Sequence, residues 1–246
     1  MKLLILAAGY ATRLYPLTLN KAKPLLDVGG KPMIEHVLAT TSGISVEEVF
    51  VVTNNKFAAD FEVWAKNFMR QDGAPPVRVL NDRSTSEQDR LGAIGDIRFV
   101  IETAKVRDDL LILGGDNLFD QKLDGFMQFA LQRGATLGVY DVGDLELIKK
   151  YASVALDDKS RIVHFEEKPS QPKTTLSAMC LYYYPKDVLP MIHKYLGEGN
   201  NPDQPGRLVQ WLHTRQEVYG YQIKGRWLDI GGHESYELAN REFRVR

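Results

Sequence analysis

The chain has 246 residues, of which 44% are apolar and 26% charged, enough for one large buried core or two small ones in a fold exposed to water, and α/β folds of this length commonly stay a single domain. A formal net charge of −1 argues against a general nucleic-acid or membrane-surface binder, and the single cysteine, Cys180, read as a buried thiol, excludes a disulfide framework or a thiolate metal cluster. The apolar stretch Leu3–Ala8 is too short for a secretory core and nothing approaches a membrane span, so a cytoplasmic protein with small partners is expected.

The apolar run Leu3–Leu6 predicts a strand buried on both faces, and Ala7-Ala8-Gly9 clears side chains from the turn that follows, so that backbone N–H groups can face an anion. Arg13 adds a planar fork for phosphate oxygens and Lys23 a mobile point charge. Two better-known phosphate loops do not fit. Gly9-x-Ala11-x-x-Leu14 lacks the glycines of a dinucleotide fingerprint, and Pro16 and Pro24 forbid the helix it would open. Gly30-Lys31 runs into Pro32 where a P-loop needs Ser or Thr.

The opening segment, Leu6 to Thr18 followed by Lys23-Pro24, resembles the Leu-Ala-Ala-Gly-x-Gly-Thr-Arg-Leu-x-Pro-Leu-Thr and Lys-Pro pattern of the sugar-1-phosphate nucleotidylyltransferases, in the short form of the glucose-1-phosphate thymidylyl- and uridylyltransferases. Ala11 stands where that family has glycine. If the backbone needs a positive φ there, alanine costs about 1 kcal/mol, so a slightly different turn is expected.

Further along, Asp27–Gly30 predicts a turn, and Pro32 the first residue of a helix carrying Met33, Ile34, Val37 and Leu38. Strands at Glu48–Thr53 and Val77–Leu80 flank an amphipathic helix over Phe57–Met69. This alternation implies parallel strands, right-handed crossovers and a ligand at their carboxyl ends. Asn81–Arg90, with Ser84-Thr85-Ser86 at its centre, is a polar loop leading to a helix start at Leu91-Gly92. That start resembles the family's base-reading segment, and Gly92 would let a base approach the backbone. Gln88 lies near the family's base-reading glutamine without its context.

Asp109–Asn117 reads as a buried strand ending in glycines and Asp116, a place for Mg²⁺ beside phosphates or for a helix N-cap. A helix over Lys122–Gln132, through Leu123, Phe126, Met127, Ala130 and Leu131, and a strand at Thr136–Tyr140 follow. Asp157-Asp158-Lys159-Ser160 is turn chemistry between Val154–Leu156 and Ile162–Phe165, a hairpin that delivers Glu167-Lys168-Pro169. Leu176–Tyr184 is expected in the same sheet as that hairpin, with its tyrosines and Trp211 in the core and a helix at Pro185–Tyr195. Val218–Ile223 and Arg226–Gly231 are expected to pair as strands before a closing helix at Glu234–Phe243.

The resemblance implies a Rossmann-like three-layer αβα sandwich with a mixed, mostly parallel central sheet and a small β-hairpin insertion over the site. One domain spans 1–246, with a nucleotide-binding half at 1–120 and a sugar-phosphate half at 121–246. It implies transfer of a nucleoside monophosphate from an NTP to a sugar 1-phosphate, with Arg13 and Lys23 catalytic and Mg²⁺ held by Asp116 and Asp229. Leu6, Ala7, Ala8, Gly9, Thr12, Arg13, Ser86 and Gly92 would bind the nucleotide, UTP or dTTP, and Glu167 and Lys168 the sugar phosphate. A homo-oligomer is compatible with this reading. The alternatives are a cytidylyltransferase acting on a phosphorylated alcohol, such as phosphocholine, and a non-catalytic regulatory binder of nucleotide sugars.

Overall fold

A computed structural model describes residues 1–243. In chain order its elements are β1 (Lys2–Leu6), β2 (Asp27–Val28), β3 (Lys31–Pro32), α1 (Met33–Ala39), β4 (Glu48–Thr53), α2 (Ala58–Phe68), β5 (Val77–Asn81) and α3 (Ala93–Thr103). There follow β6 (Leu110–Gly114), β7 (Asn117–Phe119), α4 (Asp124–Arg133), β8 (Thr136–Asp141), α5 (Leu145–Ile148), β9 (Ala152–Leu156) and β10 (Ile162–Glu167). The chain closes with β11 (Leu176–Tyr184), α6 (Leu189–Gly197), α7 (Pro205–Leu212), β12 (Tyr219–Gln222), β13 (Trp227–Asp229) and α8 (His233–Glu242). Seven strands form a mixed sheet in the order β12-β8-β11-β6-β1-β4-β5, and three two-stranded ribbons, β9-β10, β13-β7 and β2-β3, stand apart. Among the described residues no helix is long and apolar enough to cross a membrane.

The chain divides into two interleaved compact units. The first joins Met1–Leu91 and Leu113–Leu123 to the segment from Gly225 onward; the second joins Gly92–Ile112 to Asp124–Lys224. In the first, β1 pairs in parallel with β4, and β4 with β5, around wholly buried Leu3, Leu4, Ile5, Val51 and Val52. These are apolar runs with no alternation, as strands covered on both faces require. Strand order reverses at β1, whose neighbours are β4 and β6, so the carboxyl end of β1 is where an open α/β sheet leaves a crevice. Helices α1 and α2 bury Met33, Ile34, Val37 and Leu38, and Phe61, Trp64 and Ala65.

In the second unit β8 is central, antiparallel to β11 and parallel to β12. Here Leu176–Tyr184 departs from expectation: it pairs with β8 in the large sheet, not with the hairpin. The reason lies in its side chains, since Met179, Leu181, Tyr182, Tyr183 and Tyr184 are all buried and need cover on both faces. Val218–Ile223 and Arg226–Gly231 likewise do not pair with each other; β12 lies against β8, and β13 runs antiparallel to β7. Leu131 is exposed on α4, which begins at Asp124, and α6 begins at Leu189 after a turn. Cys180 is half-exposed and not buried, in the stretch of β11 where its register with β8 shifts.

Gly92 caps α3 with φ +75°, and a Cβ there would stand 2.7 Å from the Pro202 carbonyl oxygen. That carbonyl and its neighbour accept the first N–H groups of the helix, Ile94 N to Pro202 O at 2.8 Å and Ala93 N to Asp203 O at 3.1 Å. Both the backbone angle and the space exclude a side chain. Gly92→Ala is therefore expected to cost about 2–3 kcal/mol, read as a lowered denaturation midpoint at unchanged slope.

Candidate active site

The turn after β1 is braced from beneath. Buried Asn54 donates Nδ2 to the Ala8 carbonyl at 2.9 Å, and Ala7 N donates to Val52 O at 3.0 Å. Ala11 takes the left-handed conformation, φ 50° and ψ 42°, with its carbonyl held by the Thr18 hydroxyl at 2.8 Å. The alanine thus takes the positive φ itself. Left-handed alanine costs about 1–2 kcal/mol, partly offset by the greater unfolded-state freedom of glycine. Ala11→Gly is expected to raise stability by about 0.5–1 kcal/mol, measurable by thermal unfolding.

Leu6 is half-buried and Ala7 and Ala8 are buried, while Gly9, Thr12 and Arg13 are exposed at the mouth. Among the described residues, the backbone N–H groups of Gly9, Ala11, Thr12 and Arg13 meet no protein acceptor. A row of open N–H groups beside an exposed guanidinium is an anion cradle. Tyr10 ties it to the next loop by donating to Ser84 O at 3.2 Å. That loop is folded on two carboxylates: Asp82 accepts Ser84 N at 2.7 Å, and Asp89 accepts Ser86 N at 2.7 Å and the Ser86 hydroxyl at 3.0 Å. Backbone and hydroxyl bonds from Thr85 and Ser86 hold the Asp89 carboxyl well below the carboxylate range.

Four side chains from distant stretches meet in the first unit. Lys23 Nζ lies 2.7 Å from Asp116 Oδ2, with the lysine side chain 12% and the aspartate 34% exposed. Asn117 Nδ2 reaches Asp116 Oδ1 at 3.2 Å and Asp229 Oδ1 at 3.4 Å. Strand pairing explains the meeting, because β13 sets Asp229 directly opposite Asn117 on β7. Gly115 lets the chain close in: its N–H donates to Leu6 O at 3.0 Å, and a Cβ there would lie 3.0 Å from Pro24 Cγ. Asp116 caps no helix, since α4 starts at Asp124.

The two carboxylates are electrostatically unequal. Burial alone would raise Asp116, but the Lys23 ammonium and bonds from Lys23 and Asn117 outweigh it and hold the carboxyl below its ordinary value. Burial first, then the like charge of Asp116, pushes Asp229 up to about 6, against the pull of Lys23 and Arg13. Paired carboxylates that repel one another and face one amide suit a hard divalent cation, which binds through one or two carboxylates and completes its shell with phosphate oxygens and water.

Glu167 and Lys168 lie in the second unit, at the end of the β9-β10 hairpin. Lys168 is exposed, in the left-handed conformation at φ 48°, its N–H donated to Tyr151 O at 2.7 Å. Glu167 N donates to Gln210 Oε1 at 3.2 Å, and Gly206 leaves room for the Glu167 carboxylate, which a Cβ there would strike. Burial raises Glu167, while the charges of Lys168 and Arg207 pull it down. Gly92, in the same unit, is buried against Pro202 and Asp203, so its lost side chain already serves packing.

Sequence reasoning assigned no role to Asn54, Asn117, Gln210 or Gly206. Only Asn117 carried a signal, its place beside Asp116 in Gly-Asp-Asn; the others act through partners far away along the chain, Ala8 for Asn54 and Glu167 for Gln210 and Gly206.

Open backbone N–H groups, a lysine and two carboxylates near the carboxyl end of β1 define a chain suited to binding an anion beside a divalent cation. A family model described as nucleotidyl transferase matches residues 2–245, and the chain belongs to that family. Among its relatives are the bifunctional protein GlmU of Methanocaldococcus jannaschii, 26% identical over 94% of this chain and 51% of that protein, and the glucose-1-phosphate adenylyltransferase of Fusobacterium nucleatum, 28% identical over 97% and 65%. The chain thus spans about half and about two thirds of their lengths. A solved structure from Bacillus anthracis, assigned as a glucose-1-phosphate thymidylyltransferase and determined with sucrose, shares the fold at TM-score 0.81 and 23% identity, covering 100% of this chain and 96% of that one.

Proposed function

We propose that the protein transfers a nucleoside monophosphate from an NTP to a sugar 1-phosphate and releases pyrophosphate. The observation that carries this is the convergence of Lys23, Asp116, Asn117 and Asp229 in the unit that also holds the open N–H groups at Gly9–Arg13. In the reaction a phosphate oxygen of the sugar 1-phosphate forms a bond to the α-phosphorus as the bond to the bridging oxygen of the β-phosphate breaks. Both reactants are anions, so the protein's work is neutralising charge and aligning the entering and leaving oxygens.

Arg13 and the N–H groups of Gly9, Ala11 and Thr12 hold the β and γ phosphates, and Leu6, Ala7, Ala8, Ser86 and Gly92 line the nucleoside. Lys23 has three N–H donors. It can keep Asp116 and still offer protons to the α-phosphate. Asp116 and Asp229 would hold Mg²⁺, which supplies positive charge to the phosphates when bound; the family generally works with a divalent metal. Lys168 anchors the attacking phosphate, and Glu167 accepts sugar hydroxyls. The halves 1–120 and 121–246 then serve nucleotide and sugar phosphate respectively, with Asp229 returning to the nucleotide side, within one catalytic domain that works in the cytoplasm.

Kinship with a glucose-1-phosphate adenylyltransferase favours a sugar phosphate over a phosphorylated alcohol, and an intact lysine and carboxylate pair favours catalysis over a regulatory binder. The test is to mix the full chain with Mg²⁺, each NTP in turn and a panel of sugar 1-phosphates, and to follow pyrophosphate. Release with UTP or dTTP and a hexose 1-phosphate is expected. Silence across every pair overturns the reading.

A further inference from the structure

The antiparallel ribbon β13-β7 does more than carry Asp229. Opposed residues of an antiparallel pair share one face, and so do residues two apart on one strand. The register pairs Asp229 with Asn117 and Trp227 with Phe119, so Asn117, Asp229 and Trp227 all project on one side of the ribbon. Trp227 uses that position to donate its indole Nε1–H to Asn117 Oδ1 at 3.1 Å.

An indole nitrogen is a donor only, whereas a carboxamide is a donor at one end and an acceptor at the other. With Oδ1 committed to Trp227, Nδ2 must face the carboxylates, where it lies 3.2 Å from Asp116 and 3.4 Å from Asp229. The flipped amide would fail twice: its N–H₂ would oppose the indole N–H, and its oxygen would add a third acceptor beside two anions. Asn117 is 6% exposed, so bulk water does not relieve either clash. At 3.2 and 3.4 Å both contacts lie at the long end of the hydrogen-bond range, and one amide bridging both carboxylates sets how they face each other.

We infer that Trp227 is a positioning residue: through Asn117 it fixes the mutual orientation of Asp116 and Asp229 and thereby sets their affinity for a divalent cation. The inference rests on the metal-dependent transfer proposed above but acts before any substrate binds. Groups that orient metal ligands from outside the coordination shell change affinity by about 10–100-fold when removed.

The experiment titrates Mn²⁺ alone, without nucleotide or sugar, into the full chain and reads bound metal by electron paramagnetic resonance. Two variants are compared: Trp227→Phe, and a chain with 3-benzothienylalanine at position 227, which keeps the indole's shape and deletes its N–H. Both are expected to bind Mn²⁺ about tenfold more weakly, the second at an unchanged melting temperature, which separates the hydrogen bond from packing. Wild-type affinity in the benzothienylalanine protein overturns the inference, and so does a wild-type chain that takes up no Mn²⁺. A chain that ranks Mn²⁺ affinity as expected yet releases no pyrophosphate with any substrate pair keeps the clamp and loses the transfer reaction; a chain that turns over but binds Mn²⁺ equally with and without the N–H does the reverse.

Discussion

Lys23→Met should lower the rate of the proposed pyrophosphate release by about 10³-fold, the effect expected of removing one preorganised charge from where a transition state builds its own. Methionine keeps most of the stem, and the lysine side chain is only 12% exposed, so the apolar burial survives. The electrostatic balance does not. Asp116 loses its partner at 2.7 Å and is left facing Asp229 through a shared amide. A loss of about 1–2 kcal/mol in stability should accompany the lost turnover, a partial version of breaking a buried pair because Asp116 is 34% exposed. Steady-state kinetics and denaturant titration on one preparation check both; a variant with near-native rate moves the charge-stabilising role away from Lys23.

Asp229→Asn has opposite signs on activity and on stability. Turnover should fall by about 10³-fold as one of the two proposed metal carboxylates disappears. In metal-free protein, however, the wild-type carboxyl sits at about 6 when folded against 3.8 ordinarily, so the folded state holds its proton more tightly. Such a group weakens the fold at pH values above about 6, and the penalty fades as pH falls through 6 towards 3.8. Asparagine removes it. With a chelator present, Asp229→Asn should melt higher than wild type at pH 8, and the gap should close near pH 4. A gap that widens with acidity would reverse the assignment of burial and Asp116 as the cause.

Much of this architecture could be read before any coordinates. β1, α1, β4, α2 and β5 were legible because each is a local pattern: an unbroken apolar run for a doubly covered strand, or helical spacing for a helix face. Arg13, Lys23 and Asp116 stood out because their residue types suit phosphate and metal, and the structure places Lys23 on Asp116. What stayed hidden was partnership across long distances. Nothing in Trp227–Asp229 announces that it pairs with Asn117–Phe119 and not with the neighbouring Tyr219–Gln222, since strand propensity carries no address. The place of Leu176–Tyr184 was obscured for the same reason: its aromatic content predicts a strand, while only the burial of both its faces selects β8 over the nearer hairpin. Cys180 and Leu131 show the limit of composition, both apolar by type, yet the first is only partly buried and the second is exposed.

The first unit is stitched from three separate lengths of chain, the last beginning at Gly225. A ribosome must therefore extrude the whole of Asp124–Lys224 before the strand bearing Asp229 exists to close the ribbon on Asn117–Phe119. In a nascent polypeptide β1, β4 and β5 all precede that segment, whereas the contact between Asn117 and Asp229 has to wait until residue 229 has been made.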